Sequence, residues 1–250
     1  MKIIDKWKDF LFGFISIILL WYIVSLVINK PILPSPIRVL ANVHSLATQE
    51  IYIHLGYSLI RIFAGIAISV FIGLLLGVLM GQSKRWNKIL NPIIYFTYPI
   101  PKISLLPAVM LIFGLKESSK IIMIVLIIVF QIIIAVRDSV KDIPKETYYI
   151  LRCLGANKWT EFKEITLPAA LSSILSSIRI ALGTAISILF FTEIYGTEYG
   201  MGYYIMDAWM RINYLDMYSG IIVLSLLGFI LFLLIDLIET TFLRWRNMSS

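Results

Sequence analysis

Six apolar blocks, most of them about as long as a bilayer is thick, constrain this chain more than any other feature. They fall at 10–28, 55–80, 91–115, 121–136, 169–194 and 221–243. A hydrocarbon core about 30 Å thick takes roughly 20 apolar residues of helix to cross. Inside it no water reaches backbone N–H and C=O groups, so a spanning segment must satisfy them within itself, as a helix does. With 59% hydrophobic and only 15% charged residues, the chain falls outside the range of ordinary soluble domains. The expectation is an all-α membrane protein with six transmembrane helices, a single domain over 1–250. A basic start before the first block also describes a secretory leader, but the block is long and no Ala-x-Ala site follows, so it is expected to be a retained first span.

The blocks can be oriented from one long polar interval, 137–168, which carries the basic residues Arg137, Lys141, Lys145, Arg152, Lys158 and Lys163. Loops rich in Lys and Arg stay on the cytoplasmic side. Placing this interval inside leaves fourteen basic residues on the cytoplasmic side, among them Lys2, Lys6, Lys8, Lys84, Arg85, Lys88, Arg244 and Arg246. Five face outward: Lys30, Arg38, Lys116, Lys120 and Arg211. Arg61, Lys102 and Arg179 fall within spans. Both termini are then cytoplasmic, and the net charge of +7 is explained by inside loops rather than by a nucleic-acid partner. The single cysteine, Cys153, excludes an internal disulfide and reads as a packing residue.

Within the interval the signals describe two short helices and a sharp corner. Asp142 and Pro144 suit a helix start. Residues 148–154 are mostly apolar or aromatic, and Gly155 offers the left-handed conformation that ends helices. Asn157 can cap a second helix that sets Trp159 and Phe162 on one face, before Pro168 opens the next apolar block. A helix pair with an aromatic face between two spans is built to dock, against its own bundle or against a partner.

Several blocks carry marks of close packing or of a solute route. Gly65, Gly73, Gly77 and Gly81 give the second span a flat stripe against which another helix can lie. The third is broken by Pro92, Pro99, Pro101 and Pro107, so it is expected to be buried or to line a cavity. The fifth is rich in small and hydroxylated residues. Pro99, Pro101 and Ser104 on the third, with Ser176, Gly183 and Thr184 on the fifth, are therefore the candidates for the translocation path. Arg179 lies about 15 Å into the fifth span and Asp236 about 10 Å into the sixth, so the two are expected to pair, Arg179 being the costliest residue of the bundle at about 2.5 to 3.5 kcal/mol. On the outer side, residues 37–46 and 205–211 read as short helices lying at the interface, and 116–120 as a turn.

Nothing in the sequence supplies an energy source or a reaction centre. There is no G-x-x-x-x-G-K-[ST] phosphate loop, and His44 and His54 lack the spacing of a helical metal site. No cofactor or metal is expected in this chain.

Gly155, Ile165, Leu167 and Pro168 stand at the spacing of the cytoplasmic signature of ABC importer permeases, although Tyr149, Ile150 and Leu151 replace its Glu-Ala-Ala triplet. With LPSP at 33–36, H54-L-x-x-S-L-x-R61, the glycine run, IPKISLLPAVMLIFGLKESSK at 100–120 and LPAALSSILSSIRIALG at 167–183, the chain resembles permeases of the nitrate, sulfonate and taurine importer family. Lys116 and Glu117 stand where that family tends to have Gly-Glu. The resemblance implies the type I importer permease fold, a second permease copy, an ATPase subunit that binds ATP and Mg2+, and an extracytoplasmic binding protein. It also implies that Leu151, Gly155, Ala156, Trp159, Phe162, Ile165, Leu167 and Pro168 meet the ATPase. Relatives in this family also carry thiamine-precursor pyrimidines. A self-contained, ion-coupled secondary transporter is the alternative, since such proteins also use broken helices, but no matching second broken segment is present.

Overall fold

The computed structural model describes residues 3–46 and 51–242, and among these every element is helical. Lys2, Arg244 and Arg246 of the charge count, and the last position of the sixth block, 243, lie outside the described residues. Helix α1 runs Ile3–Ile28, α2 Pro36–Leu46 and α3 Ile51–Gln82. Next come α4 at Lys84–Thr97, a 3-10 turn at Lys102–Leu105, α5 at Leu106–Phe113 and α6 at Glu117–Lys141. The polar interval holds α7 at Lys145–Cys153 and α8 at Lys158–Glu161. A π turn at Phe162–Thr166 leads into α9 at Leu167–Glu193, followed by α10 at Met201–Met210 and α11 at Tyr214–Phe242.

Among the described residues α3, α6, the rod of α8 with α9, and α11 are each long and apolar enough to cross a membrane, and α4 with the segment through α5 forms a fifth, bent by 85°. Helix α1 is 26 residues long, but its apolar part, Ile15–Ile28, is shorter than a span. It leans on the rest through few contacts, one being Trp21 against Tyr218 of α11 with ring centroids 5.9 Å apart.

Helices α3 and α6 form the centre, and the glycine stripe sets their separation. A Cβ on Gly65 would lie 2.5 Å from Ile124 Cγ2, one on Gly73 2.5 Å from Ile132 Cγ2, and those on Gly77 and Gly81 within 2.7 Å of Val136 and Val140. The pairs keep a single register along both helices, so α3 and α6 run parallel, backbone close to backbone, as small residues permit in membranes. Helix α9 returns antiparallel along α6, and the central core joins Ile124, Ile128 and Ile132 to Ile174, Leu182 and Leu189.

Several expectations are corrected. The inner basic loop at 84–90 is helical, because Ser83 caps α4 ahead of Lys84 by accepting from Trp86 N, and Lys84, Arg85 and Lys88 ride its first turns. The outer turn at 116–120 is instead the start of α6, and Lys120 is fully buried there. The second loop helix does not stop before Pro168. Pro168 lacks an N–H and would crowd the carbonyl four residues back, and the π turn absorbs both defects, with Leu167 N donating to Phe162 O, so the helix continues through it. Cys153 is exposed, not packed. The two outer helices are built into the bundle: α2 buries Val39 and ties Asn42 Nδ2 to Asp216 Oδ1 at 2.8 Å, while α10 buries Met201, Ile205 and Ala208.

Candidate functional site

At one end of the bundle the polar interval folds back as a braced corner. Gly155 takes φ +81° and closes α7, with Ala156 N reaching back to Leu151 O at 3.0 Å. Asn157 caps α8, its side chain accepting from Thr160 N at 2.8 Å. Arg152 grips Glu161 through two bonds, of 2.6 and 3.0 Å, which fixes α7 relative to α8. Thr166 in the π turn meets Tyr148 of α7 at 3.0 Å and Gln82 of α3 at 3.2 Å.

This bracing sorts the coupling candidates. Leu151, Ala156, Phe162, Ile165, Leu167 and Pro168 are half-buried, whereas Gly155 is exposed and Trp159 is 68% exposed, its ring stacked on Phe162 at 5.5 Å. The outward apolar face also includes Tyr149, Ile150 and Leu154, the last 78% exposed. Together with Glu146 and Cys153 they line an open apolar cleft of about 430 Å³. Tyr149, Ile150, Cys153 and Leu154 are absent from the candidate set drawn from the sequence. A helical projection of α7 would have shown them on one face.

At the third span the chain breaks between α4 and the 3-10 turn, where Pro99 and Pro101 remove two N–H donors. Pro99, Pro101 and Ser104 are all exposed, with Ser104 Oγ donating to Pro101 O at 2.7 Å. Leu106 and Val109 of α5 pack with Ile188 of α9, which stands one turn from the exposed Gly183 and Thr184. Ser176 is half-buried and lies about 12 Å from Thr184 toward the start of α9. The elbow and the outer half of α9 therefore come together, and Ser176 stands apart from them. The broken span is not buried within this chain: Tyr95, Phe96, Leu111 and Ile112 are 73% to 87% exposed.

Arg179 ion-pairs with Asp236 of α11 and also with Glu239 one turn on, with its guanidinium carbon 5.6 Å from the Phe232 ring centre. It is not the costliest charge of the bundle. That is Arg61 on α3, 1% exposed, in a network at the outer end that the sequence reading did not assemble. Arg61 Nε and Nη2 bind Glu117 of α6 at 2.5 and 2.7 Å, and Nη1 binds Glu193 of α9 at 2.6 Å and the Tyr199 carbonyl at 2.8 Å. Glu193, fully buried, also accepts from Ser58 Oγ at 2.8 Å and from Gly202 N at 2.8 Å, so it serves as an anion at the start of α10. Lys120 Nζ donates to the carbonyls of Leu115 and Lys116 nearby. Three spans and the α9–α10 connection are thereby joined at one end, and the signal was present in the segments containing Arg61 and Glu117.

The sequence profile of the binding-protein-dependent transport system inner membrane components matches residues 69–244. The chain belongs to that family. It is a multi-pass inner-membrane transport component, and the match leaves α1, α2 and the first half of α3 outside the family's common part. The permease SsuC of Bacillus subtilis, whose name gives aliphatic sulfonates as cargo, is 30% identical, covering 92% of this chain and 85% of its own. The formylaminopyrimidine transport permease ThiX of Halalkalibacterium halodurans is 30% identical over 94% of each chain. The taurine transport permease TauC of Escherichia coli is 29% identical over 91% of this chain and 85% of its own. Among solved structures, a chain of a bacterial ABC transporter that imports alginate superimposes with a TM-score of 0.64 over 95% of this chain and 99% of its own, at 16% identity. A chain of the inward-facing methionine transporter MetNI superimposes at 0.61, over 77% and 94%, at 20% identity. These two likenesses establish the type I importer permease fold.

Proposed function

We propose that this permease forms the membrane path of an ATP-driven importer as one of two identical copies. An ATPase subunit, which alone binds ATP and Mg2+, seats on the α7–α8 corner of each copy, and an extracytoplasmic binding protein delivers the solute to the outer end. Both termini are then cytoplasmic. The solute is a sulfonate, taurine or nitrate-like anion, or a thiamine-precursor pyrimidine. Closure of the ATPases rocks the bundles between outward-open and inward-open states.

The observation that carries this reading is the braced corner. A loop that merely packed on its own bundle would turn its large apolar side chains inward, yet Trp159, Leu154, Ile150 and Tyr149 face outward from a frame held by Arg152–Glu161 and by Thr166. A rigid apolar face of this kind transmits force only if something is seated on it. Co-purification of an ATPase subunit with the chain, and its loss in Trp159→Asp, tests the docking. Gly155→Val forces a β-branched residue into φ +81° and is expected to abolish ATP-dependent uptake while the protein stays in the membrane. Wild-type uptake in both variants would sink the assignment.

A further inference from the structure

Helix α4 meets α6 along a narrow seam and leaves a cavity beside it. Ile94 is the buried residue of α4, packed with Met80, Val129 and Ile133, and the two helices are otherwise tied by Arg137 on Asn91 and Lys141 on Asn87. The ties descend one helix as they climb the other, so α4 and α6 are antiparallel here. A cavity of about 410 Å³ opens along the seam, with Arg137 and Asn91 at one end, Ile94, Ile134 and Tyr98 along it and Pro99 at the other end. Arg137 stands 20 residues on from Glu117, about 30 Å along α6, which is the thickness of a hydrocarbon core. Glu117 belongs to the Arg61 network at one surface, so Arg137 lies at the opposite surface and the apolar lining lies beneath it. The cavity is therefore charged at headgroup level and apolar in the hydrocarbon.

Arg137 is mostly buried, its side chain 15% exposed, yet its guanidinium is not used up. Of its five N–H groups, Nε and Nη2 each give one to Asp138, at 2.7 and 3.1 Å, and Nη1 gives one to Asn91 at 2.6 Å, which leaves two. Tyr95 and Tyr98 bring further donors to the same cavity. Lys84, Arg85, Lys88 and Lys141 stand exposed on the adjoining turns, so with Arg137 five cations share this end with two carboxylates, Asp138 and Asp142. The surroundings are those of a lipid surface. Trp86, Tyr95 and Phe96 turn outward from α4, 46%, 73% and 75% exposed, as aromatic side chains do where a helix enters a bilayer.

We propose that the α4–α6 cavity is a binding site for an anionic phospholipid, with the phosphate on Arg137 and the upper part of an acyl chain along Ile94, Ile134 and Tyr98. A guanidinium fork suits phosphate oxygens, and basic pockets between membrane helices select anionic headgroups. Free phosphate offers the same oxygens but leaves the apolar lining uncovered, which a hydrocarbon chain covers. A zwitterionic lipid covers the lining but brings a further cation to a surface already in positive surplus. Pro99 at the inner end then meets lipid, while Pro101 and Ser104, past the break, remain for the solute. The site goes beyond the import reading and does not rest on it.

The test asks which lipid sits beside Tyr95. The full-length permease, with the photoreactive benzoylphenylalanine in place of Tyr95, is reconstituted in vesicles of equal phosphatidylglycerol and phosphatidylcholine, and the adducts formed on illumination are identified by mass. The same residue in place of Phe71, 73% exposed on α3, reports ordinary lipid contact. Phosphatidylglycerol adducts are expected to outnumber phosphatidylcholine adducts roughly 5-fold at position 95 and to equal them at position 71. Arg137→Gln removes most of that preference and Arg137→Lys keeps it. Lys145→Gln, which takes the same charge from α7, leaves it unchanged, as does inorganic phosphate added at constant ionic strength. Equal ratios at the two positions, a ratio unmoved by Arg137→Gln, an adduct to a second copy of the chain in place of lipid, or no adduct at all would overturn the proposal. Loss of the preference in inorganic phosphate would replace the lipid by a free phosphate. If Arg137→Gln does not reconstitute, the paired change Lys88→Gln with Lys141→Gln, both at exposed positions, is expected to lower the ratio, and an unchanged ratio counts against the site.

Discussion

Arg61 shows how a residue can be both the least affordable in composition terms and well accommodated in place. Its guanidinium fork is satisfied by two carboxylates, a carbonyl and a hydroxyl, and Glu193 in turn accepts from Ser58 and from the Gly202 amide of α10. Each member is held by groups from a different element, so the network fixes the outer end of the bundle more than it adds net stability. Ile212 is the opposite case. At φ +58° between α10 and α11 it is a β-branched residue in the left-handed region, and it is 71% exposed, so it gains little by packing. Ile212→Asn is expected to stabilise the protein by about 1 kcal/mol, read as a higher thermal unfolding midpoint of the purified permease. No gain, or a loss, would mean that Ile212 has a contact worth more than its strain.

Among the elements, α3 and α6 are joined by geometry rather than by chemistry. Their interface is close because four glycines leave room for Ile124, Ile132, Val136 and Val140, and van der Waals contact then supplies the association that water cannot drive within lipid. Gly73→Val puts a branched side chain where a single Cβ already approaches Ile132 to 2.5 Å. The expected cost is about 1 to 3 kcal/mol, seen as a lower membrane level or a lower unfolding midpoint. Gly183→Val, with nothing within 4 Å of the added Cβ, is the matched control for stability and is expected to fold normally. Equal behaviour of the two variants would contradict the close-packing account.

For the molecule as a whole, the polar ties sit at the two ends and the apolar contacts between them. One end is closed by the Arg61 network, and the other by Arg137 on Asn91, Lys141 on Asn87 and the Thr166 ties. Between them, α9 and α11 are held by Arg179, which has two acidic partners and so some redundancy. Asp236→Asn or Glu239→Gln alone is expected to leave membrane assembly nearly intact, because the remaining carboxylate still neutralises Arg179. The double variant is expected to lose most assembled protein, as is Arg179→Ala, since each strands a charge at membrane depth. Normal assembly of the double variant, followed by quantifying the permease in the membrane fraction, would show that the pair is dispensable.

The sequence by itself determined the class of this protein and most of its layout. Block length in lipid leaves only helices, a glycine every fourth residue predicts a close neighbour, and Gly155 with Asn157 marks a corner, all because these are local or solvent-imposed rules. Depth along two helices was enough to bring Arg179 toward Asp236, though it missed Glu239 one turn away. What the tertiary structure alone decided is which distant groups share a space. Glu117 and Glu193 are 56 and 132 residues from Arg61, and no periodicity links them. The continuation of a helix through Pro168 depended on a π turn braced by Tyr148 and Gln82. The same holds for α7, where the half-burial of Leu151 and the exposure of Leu154 follow from how the corner is clamped to the bundle. Apolar character is a property of a residue, but the side on which it is covered is a property of the fold.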